Sequence, residues 1–497
     1  MSSSLLSSFE VLEDTKPHDV SLPAFVVSTT RGFLPRMDPI VTLPSEFEVV
    51  EALLRRMPVK TLSGVPGLLA TGELGDTVLR ELPDLSEQVE KYRENLPMMT
   101  ALYRDYSFLA SAFLLEPCHM RFVKGEPYGL GRSCLPAQLS RPIVRCAELA
   151  GFKPFMEYAG SYALFNYRLE NPDAGLEYSN LRLIRAFEHG LDPTSSEAGF
   201  VLVHIDMVRN SGPLVHGTMS CFRDLTNVDK LPGPQQRRAF NEGLRTIVNA
   251  MQKVNNVMET MWMKSKPRSY TSFRTFIFGI TSQSMFPDGV VYEGVNDDKP
   301  MSFRGESGAN DTMIPLMDNF LQIPMPDTPL TEILKDFREY RPSKHRQFLA
   351  EVKKHSEAFH LKDYALALDP KGNGRIILEA DEEERELVKE SRILWLQALD
   401  QVRDFRWRHW CFAREYILKQ TSHPTATGGS PIVTWLPNQL QAVMEEMISI
   451  SKRVDGNSGG MDLGPVHRDM MELVERQHHT LRKEVDKYCQ ERGVGTK

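Results

Sequence analysis

Cysteine is scarce in this chain, and its few copies are scattered. The 497 residues include six cysteines, and no two of them form a Cys-x-x-Cys pair. This pattern argues against a disulfide framework and against a zinc site built on paired cysteines. It predicts reduced thiols in a cytoplasmic protein.

Long apolar runs and clustered positive charge are also missing. No apolar run approaches the roughly 18 residues that suggest a membrane-spanning helix, and the N-terminus lacks the basic patch of a secretory or mitochondrial leader. The net charge is -7, without a basic stripe, which argues against nucleic acid as the main partner. We therefore predict a protein that binds neither a membrane nor a nucleic acid.

The composition is that of an ordinary globular protein. Hydrophobic residues make up 41% of the chain and charged residues 25%, and the length allows two or three domains with a large core. Apolar residues recur at helical spacing over most of the chain. One such stripe is taken as plain core: Phe240, Leu244, Ile247, Val248, Met251, Val254, Met258 and Met261.

These patterns predict a mainly α fold in which a small N-terminal domain packs on a large all-helical domain. Turn and linker residues suggest its boundaries. We expect a mobile arm over 1–30, the small domain over 31–190, the large domain over 191–450, and a linker with a C-terminal helix over 451–497.

One histidine lies on a helix face that is otherwise apolar. The other residues of that face are Ala398, Val402, Phe405, Phe412 and Tyr416. Their spacing predicts an amphipathic helix, so the imidazole of His409 points where hydrocarbon is expected. A buried imidazole on a stiff helix suits the proximal ligand of a haem iron, and Arg406 lies one turn back. A core histidine satisfied by a carbonyl is the competing interpretation.

A second histidine has the same kind of environment. His204 shares a helix face with Phe200, Val203, Met207 and Val208. Two such histidines on separate helices can flank a haem, one on each side. On the residues alone, His204 can equally be a satisfied core residue.

Further segments follow in a fixed order. They are Arg274-Thr-Phe-Ile-Phe-Gly279, Asp288-Gly-Val-Val-Tyr-Glu-Gly294, Phe303-Arg-Gly-Glu-Ser-Gly-Ala-Asn310, Asp318, Tyr340-Arg-Pro-Ser-Lys-His-Arg-Gln-Phe-Leu349, Arg406-x-x-His409 and Ala426-Thr-Gly-Gly-Ser430. This ordered set resembles the indoleamine 2,3-dioxygenase family, and the resemblance extends from about residue 30 to about 450. It is densest between 270 and 430.

The resemblance implies a haem enzyme. The cofactor would be haem b, with His409 as the metal ligand, and the substrates would be L-tryptophan and O2. The reaction would cleave the indole C2–C3 bond and place both oxygen atoms in N-formylkynurenine, the first step of the kynurenine route. A monomer is expected.

The resemblance also assigns roles around the substrate. Arg274 would pair with the substrate carboxylate, since a guanidinium binds a carboxylate through two parallel hydrogen bonds. Tyr270 lies beside it in sequence. Tyr158 and Ser161 would close the pocket from the small domain, and Thr427 would belong to a mobile Gly-rich loop acting as a lid.

Other roles implied by the resemblance concern the haem. Ser307 and Gly308 would line the distal pocket beside the haem, and we expect Ser307 and His204 to take part in catalysis. Asp318 and Arg406 would form an ion pair at the haem edge, where each supplies the partner that a buried charge needs.

Three positions depart from the family pattern. His204 stands where animal members carry a distal serine, and Ser269 stands where they carry an aromatic pocket residue. Ala426 replaces the first glycine of the lid, which would stiffen it. The first two departures leave open a haem protein that acts on another indole or serves as a haem or gas sensor.

A hydrolase is the other alternative. Gly305-Glu-Ser-Gly-Ala309 resembles a degenerate nucleophile elbow, in which Ser307 would be the nucleophile and His345 or His409 the base. That elbow requires a strand, a turn and a helix within a βαβ array. The helical character of the surrounding sequence argues against it.

Overall fold

The computed structural model describes residues 10–226, 233–325, 329–368, 382–420, 426–429, 432–454 and 462–492. Helices dominate these residues, and the strands are short, which confirms the predicted mainly α fold. No helix in the described ranges has the length and apolar composition needed to cross a membrane.

The N-terminal part is built around one long helix. Its helices are α1 (Glu48–Arg56), α2 (Leu68–Thr71), α3 (Leu74–Glu81), α4 (Ser86–Glu90), α5 (Leu96–Phe122) and α6 (Ala137–Ala150). The central helix is α5, which begins where the Asn95 side chain accepts a hydrogen bond from the backbone N–H of Met98. It is buried on nearly every side because α1, α2, α3 and α6 all pack on it.

The C-terminal part is a larger helical assembly. Its helices are α7 (Ser196–Val208), α8 (Ser211–Thr226), α9 (Gly233–Glu259), α10 (Met261–Lys264), α11 (Pro267–Arg274), α12 (Met313–Phe320), α13 (Pro329–Arg338), α14 (Ser343–Ala358), α15 (Leu361–Leu366), α16 (Glu382–Phe412), α17 (Ile432–Val454) and α18 (Pro465–Arg492). The centre is α9, which packs against α7, α8 and α16. Its predicted apolar stripe is buried from Phe240 to Met258 except at Val248, which is half-buried, and the last residue of the stripe, Met261, lies beyond it in α10.

The short strands tie loops together. They are β1 (Val11–Leu12), β2 (Val27–Ser28), β3 (Cys134–Leu135), β4 (Tyr167–Leu169), β5 (Leu181–Leu183), β6 (Val290–Tyr292) and β7 (Pro300–Met301). β1 and β2 pair in parallel, and β4 and β5 pair antiparallel. β6 pairs in parallel with β3 and antiparallel with β7. Each sheet has two or three strands within the described residues, so the sheets carry little of the core.

The predicted domain boundaries remain predictions. Within the stretch expected to be a mobile arm, residues 24–27 are buried, and β2 packs against α8 and α14. Near the expected boundary at 190, Ser195 caps α7 by accepting a hydrogen bond from the N–H of Ala198. Glu197 turns inward there, accepting hydrogen bonds from the N–H groups of Phe187 and Glu188.

A buried ion network holds the N-terminal helices together. Asp105 on α5 lies 2.8 Å from Arg104 and 2.7 Å from Arg185, and Arg185 also reaches Glu51 on α1 at 2.9 Å. All four side chains are nearly inaccessible to solvent. Burial alone would raise the pKa of Asp105, but the two arginines hold it below its usual value.

Replacing Asp105 with asparagine should be strongly destabilising. Asp105→Asn keeps the shape of the side chain but removes the negative charge shared by two buried guanidinium groups, which should cost about 3–5 kcal/mol. Urea and thermal unfolding would measure this loss. Glu94→Gln is the control, because its ion pair with Arg93 is exposed and should contribute about 0–1 kcal/mol. Equal stability of the two variants would contradict the prediction.

Candidate functional site

A cavity of about 920 Å³ lies in the C-terminal part of the protein. Helices α7, α9, α12, α14 and α16 contribute to its walls, together with the loop that carries Ser307 and Gly308. Its volume is in the upper range of small-molecule and cofactor sites, which are usually apolar clefts with a few placed polar groups. Methionines and aromatic rings form much of this wall.

His409 faces this cavity from the last turn of α16. Burial lowers the pKa of His409 to about 4, and the charges of His204 and Arg406 act in the same direction. The imidazole is therefore neutral at physiological pH. Among the described residues, no hydrogen bond occupies the ring, so a nitrogen lone pair is available inside the cavity.

The helix face around His409 divides between core and cavity. Ala398 and Val402 are buried in the core as expected, whereas Phe405 and His409 line the cavity. One part of this apolar helix face is therefore packed in the core, and the other part forms a wall of the cavity. Beyond Phe412 the backbone widens into a π-helical segment, Ala413–Leu418, and Tyr416 from this segment also lines the cavity.

His204 faces the same cavity from α7. Its Nδ1 lies 2.8 Å from the carbonyl oxygen of Phe200, so Nδ1 carries the proton and Nε2 keeps its lone pair. A Cβ at Gly308 would lie 3.7 Å from this Nε2, which places the Ser307–Gly308 loop beside the ring. Burial lowers the pKa of His204. The carbonyl contact expected of a core histidine and the exposure to the cavity expected of a functional one are both present.

Arg406 and Asp318 form the expected ion pair. Their side chains approach to 2.8 Å, and both line the cavity. Arg406 also donates a hydrogen bond to the Gln439 side chain. Burial raises the pKa of Asp318 despite the opposing effect of Arg406. The second oxygen of Asp318, Oδ1, has no hydrogen-bond partner among the described residues.

The Ser307 loop is fixed by close backbone contacts. A Cβ on Gly305 would collide with the backbone of Gly279, so only glycine fits there. Ser307 accepts a hydrogen bond from the N–H of Ala309. In the described part of the chain, no hydrogen bond joins Ser307 to a histidine and no βαβ unit surrounds it. Since His345 is bonded to Thr312 instead, the structure gives a hydrolase no support.

The short segment Ala426–Gly429 docks on this loop. The Thr427 hydroxyl donates to the carbonyl oxygen of Glu306 at 2.7 Å, and the Thr427 carbonyl accepts from the N–H of Gly279 at 2.9 Å. Arg304 donates to the carbonyl oxygen of Gly428 at 3.0 Å. Thr427 is therefore held at the cavity wall, while residues 421–425 and 430–431 lie outside the described residues.

The residues assigned to the substrate lie at different depths. Tyr158 and Tyr270 line the cavity. Arg274 is fully buried and does not line it; its guanidinium stacks 4.6 Å from the Phe278 ring and interacts with the Tyr270 hydroxyl. Ser161 is also buried and exchanges hydrogen bonds with the backbone of Glu157. The guanidinium of Arg274 therefore acts on the cavity wall through its contact with the Tyr270 hydroxyl.

Ser269, the departure from the family pattern, does not line this cavity. It belongs to a separate, polar pocket near Lys60 and His189. The aromatic wall comes instead from Tyr270 and from Phe200, whose ring lies 5.3 Å from that of Tyr270. The loss of an aromatic residue at 269 therefore does not leave the cavity without aromatic lining.

Glu306 was missed by the sequence reasoning, although it lies next to Ser307. It is 3% exposed and lines the cavity. Burial, with a smaller effect of Glu157, raises the pKa of Glu306 to about 8. The available signal was a lone acidic residue in a loop of otherwise small side chains.

The protein is thus a helical protein whose cavity has two imidazoles, an apolar wall and an ion pair, a lining that suits a bound cofactor. The family model of indoleamine 2,3-dioxygenase matches residues 21–470. The chain belongs to the indoleamine 2,3-dioxygenase family. Proteins of this family are haem-dependent oxidoreductases.

Individual relatives are distant but span much of the chain. Indoleamine 2,3-dioxygenase 2 of Mus musculus is 29% identical, over 56% of this chain and 67% of its own length. Indoleamine 2,3-dioxygenase nanC of Aspergillus nanangensis is 24% identical, over 71% and 80%. A protein named myoglobin from Haliotis madaka is 24% identical, over 67% of this chain and 78% of its own length.

Proposed function

We propose that this protein converts L-tryptophan and O2 to N-formylkynurenine with haem b as its cofactor and His409 as the proximal ligand. The observation that carries the proposal is the pair of neutral imidazoles, His409 and His204, that face one cavity from α16 and α7. The free cysteines are consistent with a cytoplasmic protein, and we expect a monomer.

The residues of the cavity fit a haem in their chemistry. A neutral imidazole is a suitable iron ligand, and the methionine and aromatic wall suits a flat apolar macrocycle. Three arginines that line the cavity, Arg338, Arg341 and Arg406, all act on the charge of Asp318 and suit two propionates. The unpartnered Oδ1 of Asp318 lies in the same region. When bound, the haem would supply the iron that activates O2 toward the indole.

The side chains of the protein would position the cofactor, exclude water and bind the substrate. Arg406, held by Asp318 and Gln439, would fix the cofactor edge near His409. The docked Thr427 segment would exclude water from the cavity. Tyr270, with Arg274 behind it, would present a positively polarised hydroxyl to the substrate carboxylate, and a modest shift of Tyr270 would admit a direct bidentate contact.

The tautomer of His204 narrows its role. Because Nδ1 donates to the Phe200 carbonyl, Nε2 can accept a hydrogen bond or bind iron but cannot donate while that contact lasts. We therefore favour His204 as the acceptor of the indole N–H. Ligation of ferric iron by Nε2 is the alternative, and it would suit a haem sensor or a slowly activated enzyme.

Removing His409 should abolish normal haem binding. His409→Ala deletes the imidazole proposed as proximal ligand, so the purified protein should lose haem or bind it with a changed ferrous spectrum. Haem content and absorption spectra provide the measurement. His360→Ala, at an exposed side chain, is the matched control and should bind haem as the wild type does. A native ferrous spectrum in His409→Ala would remove this residue from the site.

Removing Arg274 should impair turnover more than folding. Arg274→Ala should cost roughly 2–4 kcal/mol in transition-state binding, on the order of thirty-fold to a thousand-fold in kcat/KM for L-tryptophan. Tyr270→Phe separates two routes: it should reproduce much of the loss if the carboxylate is bound through the hydroxyl, and little of it if Arg274 binds directly. Product analysis by chromatography reports N-formylkynurenine.

The outcome with wild-type protein decides the reaction itself. If the ferrous holoenzyme bound haem but made no N-formylkynurenine, another indole substrate or a sensor function would replace the proposed one. If Arg274→Ala kept full efficiency, the carboxylate assignment would be wrong even though the reaction stood.

Replacing His204 with serine should separate its two proposed roles. As an acceptor of the indole N–H, His204 can be lost with little change in the ferric spectrum but with weaker L-tryptophan binding. As a ferric ligand, its loss would convert a low-spin, six-coordinate spectrum to a high-spin one. Ferric spectra and steady-state kinetics of His204→Ser measure both. If neither the ferric spectrum nor the kinetics changed, His204 would be a core histidine without a role in the site.

A further inference from the structure

Glu306 places a carboxyl group on the wall of the cavity. Its side chain lines the cavity and is almost completely shielded from bulk solvent. Its backbone is held on both sides, because Thr427 binds its carbonyl oxygen and Gly305 packs on Gly279. The backbone that carries the carboxyl is thus fixed at the wall of the cavity.

The protein provides no partner for this carboxyl among its described residues. No hydrogen bond or ion pair is formed by the Glu306 side chain there, and the charge that acts most on it is another acid, Glu157. The hydroxyls of Tyr158, Tyr162 and Tyr270 lie within electrostatic range. Buried acids usually have a cation or several donors, so the missing partner of Glu306 is expected to come from the ligand.

Two groups that can carry opposite charges act on Tyr270. The Tyr270 hydroxyl interacts with the guanidinium of Arg274 and also experiences the charge of Glu306. A guanidinium and a carboxyl that would ionise on pairing with a cation match the two charges of an α-amino acid. The carboxylate of such a ligand would face Arg274 and its ammonium would face Glu306.

We propose that Glu306 binds the α-ammonium group of the substrate and so selects amino-acid indoles over indoles that lack an amine. This inference rests on the proposed function, since it concerns the same cavity and the same substrate. The bond is a charge-assisted hydrogen bond from the ammonium N–H to the Glu306 carboxylate. No covalent step is involved.

A ligand series tests the proposal on the ferric holoenzyme. L-tryptophan carries both charges, tryptamine only the amine, and indole-3-propionate only the carboxylate; binding is followed by the haem absorption spectrum. Glu306→Gln keeps the volume and removes the charge. It should raise the Kd for L-tryptophan and tryptamine about ten- to hundred-fold and leave the Kd for indole-3-propionate unchanged or lower. Glu339→Gln is the control, because Glu339 lines the same cavity but its side chain is 58% exposed.

The outcomes distinguish this proposal from the proposed reaction. Equal weakening of all three ligands in Glu306→Gln would overturn the ammonium contact and assign Glu306 a structural role. Unchanged affinities with a lower kcat would overturn it too, in favour of a proton-donating role. A wild type that binds tryptamine through Glu306 but makes no N-formylkynurenine would support this contact and contradict the proposed reaction.

Proton release on ligand binding provides a second measurement, which uses the wild-type protein and therefore does not depend on whether a variant folds. Since the pKa of Glu306 is raised to about 8, the free carboxyl is mostly protonated at pH 7, and pairing with an ammonium should expel that proton. The titratable groups within its electrostatic range are Glu157, Tyr158, Tyr162 and Tyr270, and Arg274 acts on Tyr270. Calorimetry in two buffers of different ionisation enthalpy should show release approaching one proton for L-tryptophan and none for indole-3-propionate. Equal release for both would contradict the proposal.

Discussion

The constraint on which this structure depends is the juxtaposition of two imidazoles inside one cavity. His409 and His204 lie on different helices, α16 and α7, and both line the same cavity. Either histidine alone would provide an imidazole on only one wall. The helix that relates them is α9, which packs on both. Its long buried stripe is ordinary core, but it fixes the separation of the two site helices. A change that repacks this stripe would therefore alter the site, and Met258 at its end lines the cavity directly.

The site combines an apolar wall with buried ionisable groups, and these groups differ in whether the protein provides each of them with a partner. Arg406 is matched by Asp318 at 2.8 Å, whereas Glu306 has only other acids and hydroxyls near it within the described residues. The first arrangement is complete in the free protein. The second leaves a carboxyl that a cationic ligand group would satisfy. This difference separates groups that hold the site together from groups that are available to a ligand.

The sequence predicted the helical class, the buried stripe on α9 and the facing of His409 into an apolar environment, because these follow from spacing along a single helix. The sequence was less informative about how far each side chain lies from the cavity, which decides whether that side chain can contact a ligand. Arg274 and Ser161 were expected at the substrate, yet both are buried behind the wall, and Tyr270 and Tyr158 present the surface instead. Tyr270 and Arg274 lie one turn apart on the same face of α11, and Tyr270 lines the cavity while Arg274 is buried beyond it, so position along the helix axis decides their depth.

Local chemistry along the chain determined that helices would form, where apolar faces would lie and that two histidines would interrupt them. Tertiary structure alone decided that these histidines share one cavity, that Thr427 rests on the Glu306 carbonyl, and that the Glu306 carboxyl lacks a partner among the described residues. The physical reason is that periodicity reports the orientation of a side chain relative to its own helix. The partners and the dielectric environment it meets depend on elements far away in the chain, and these set its pKa and its chemistry.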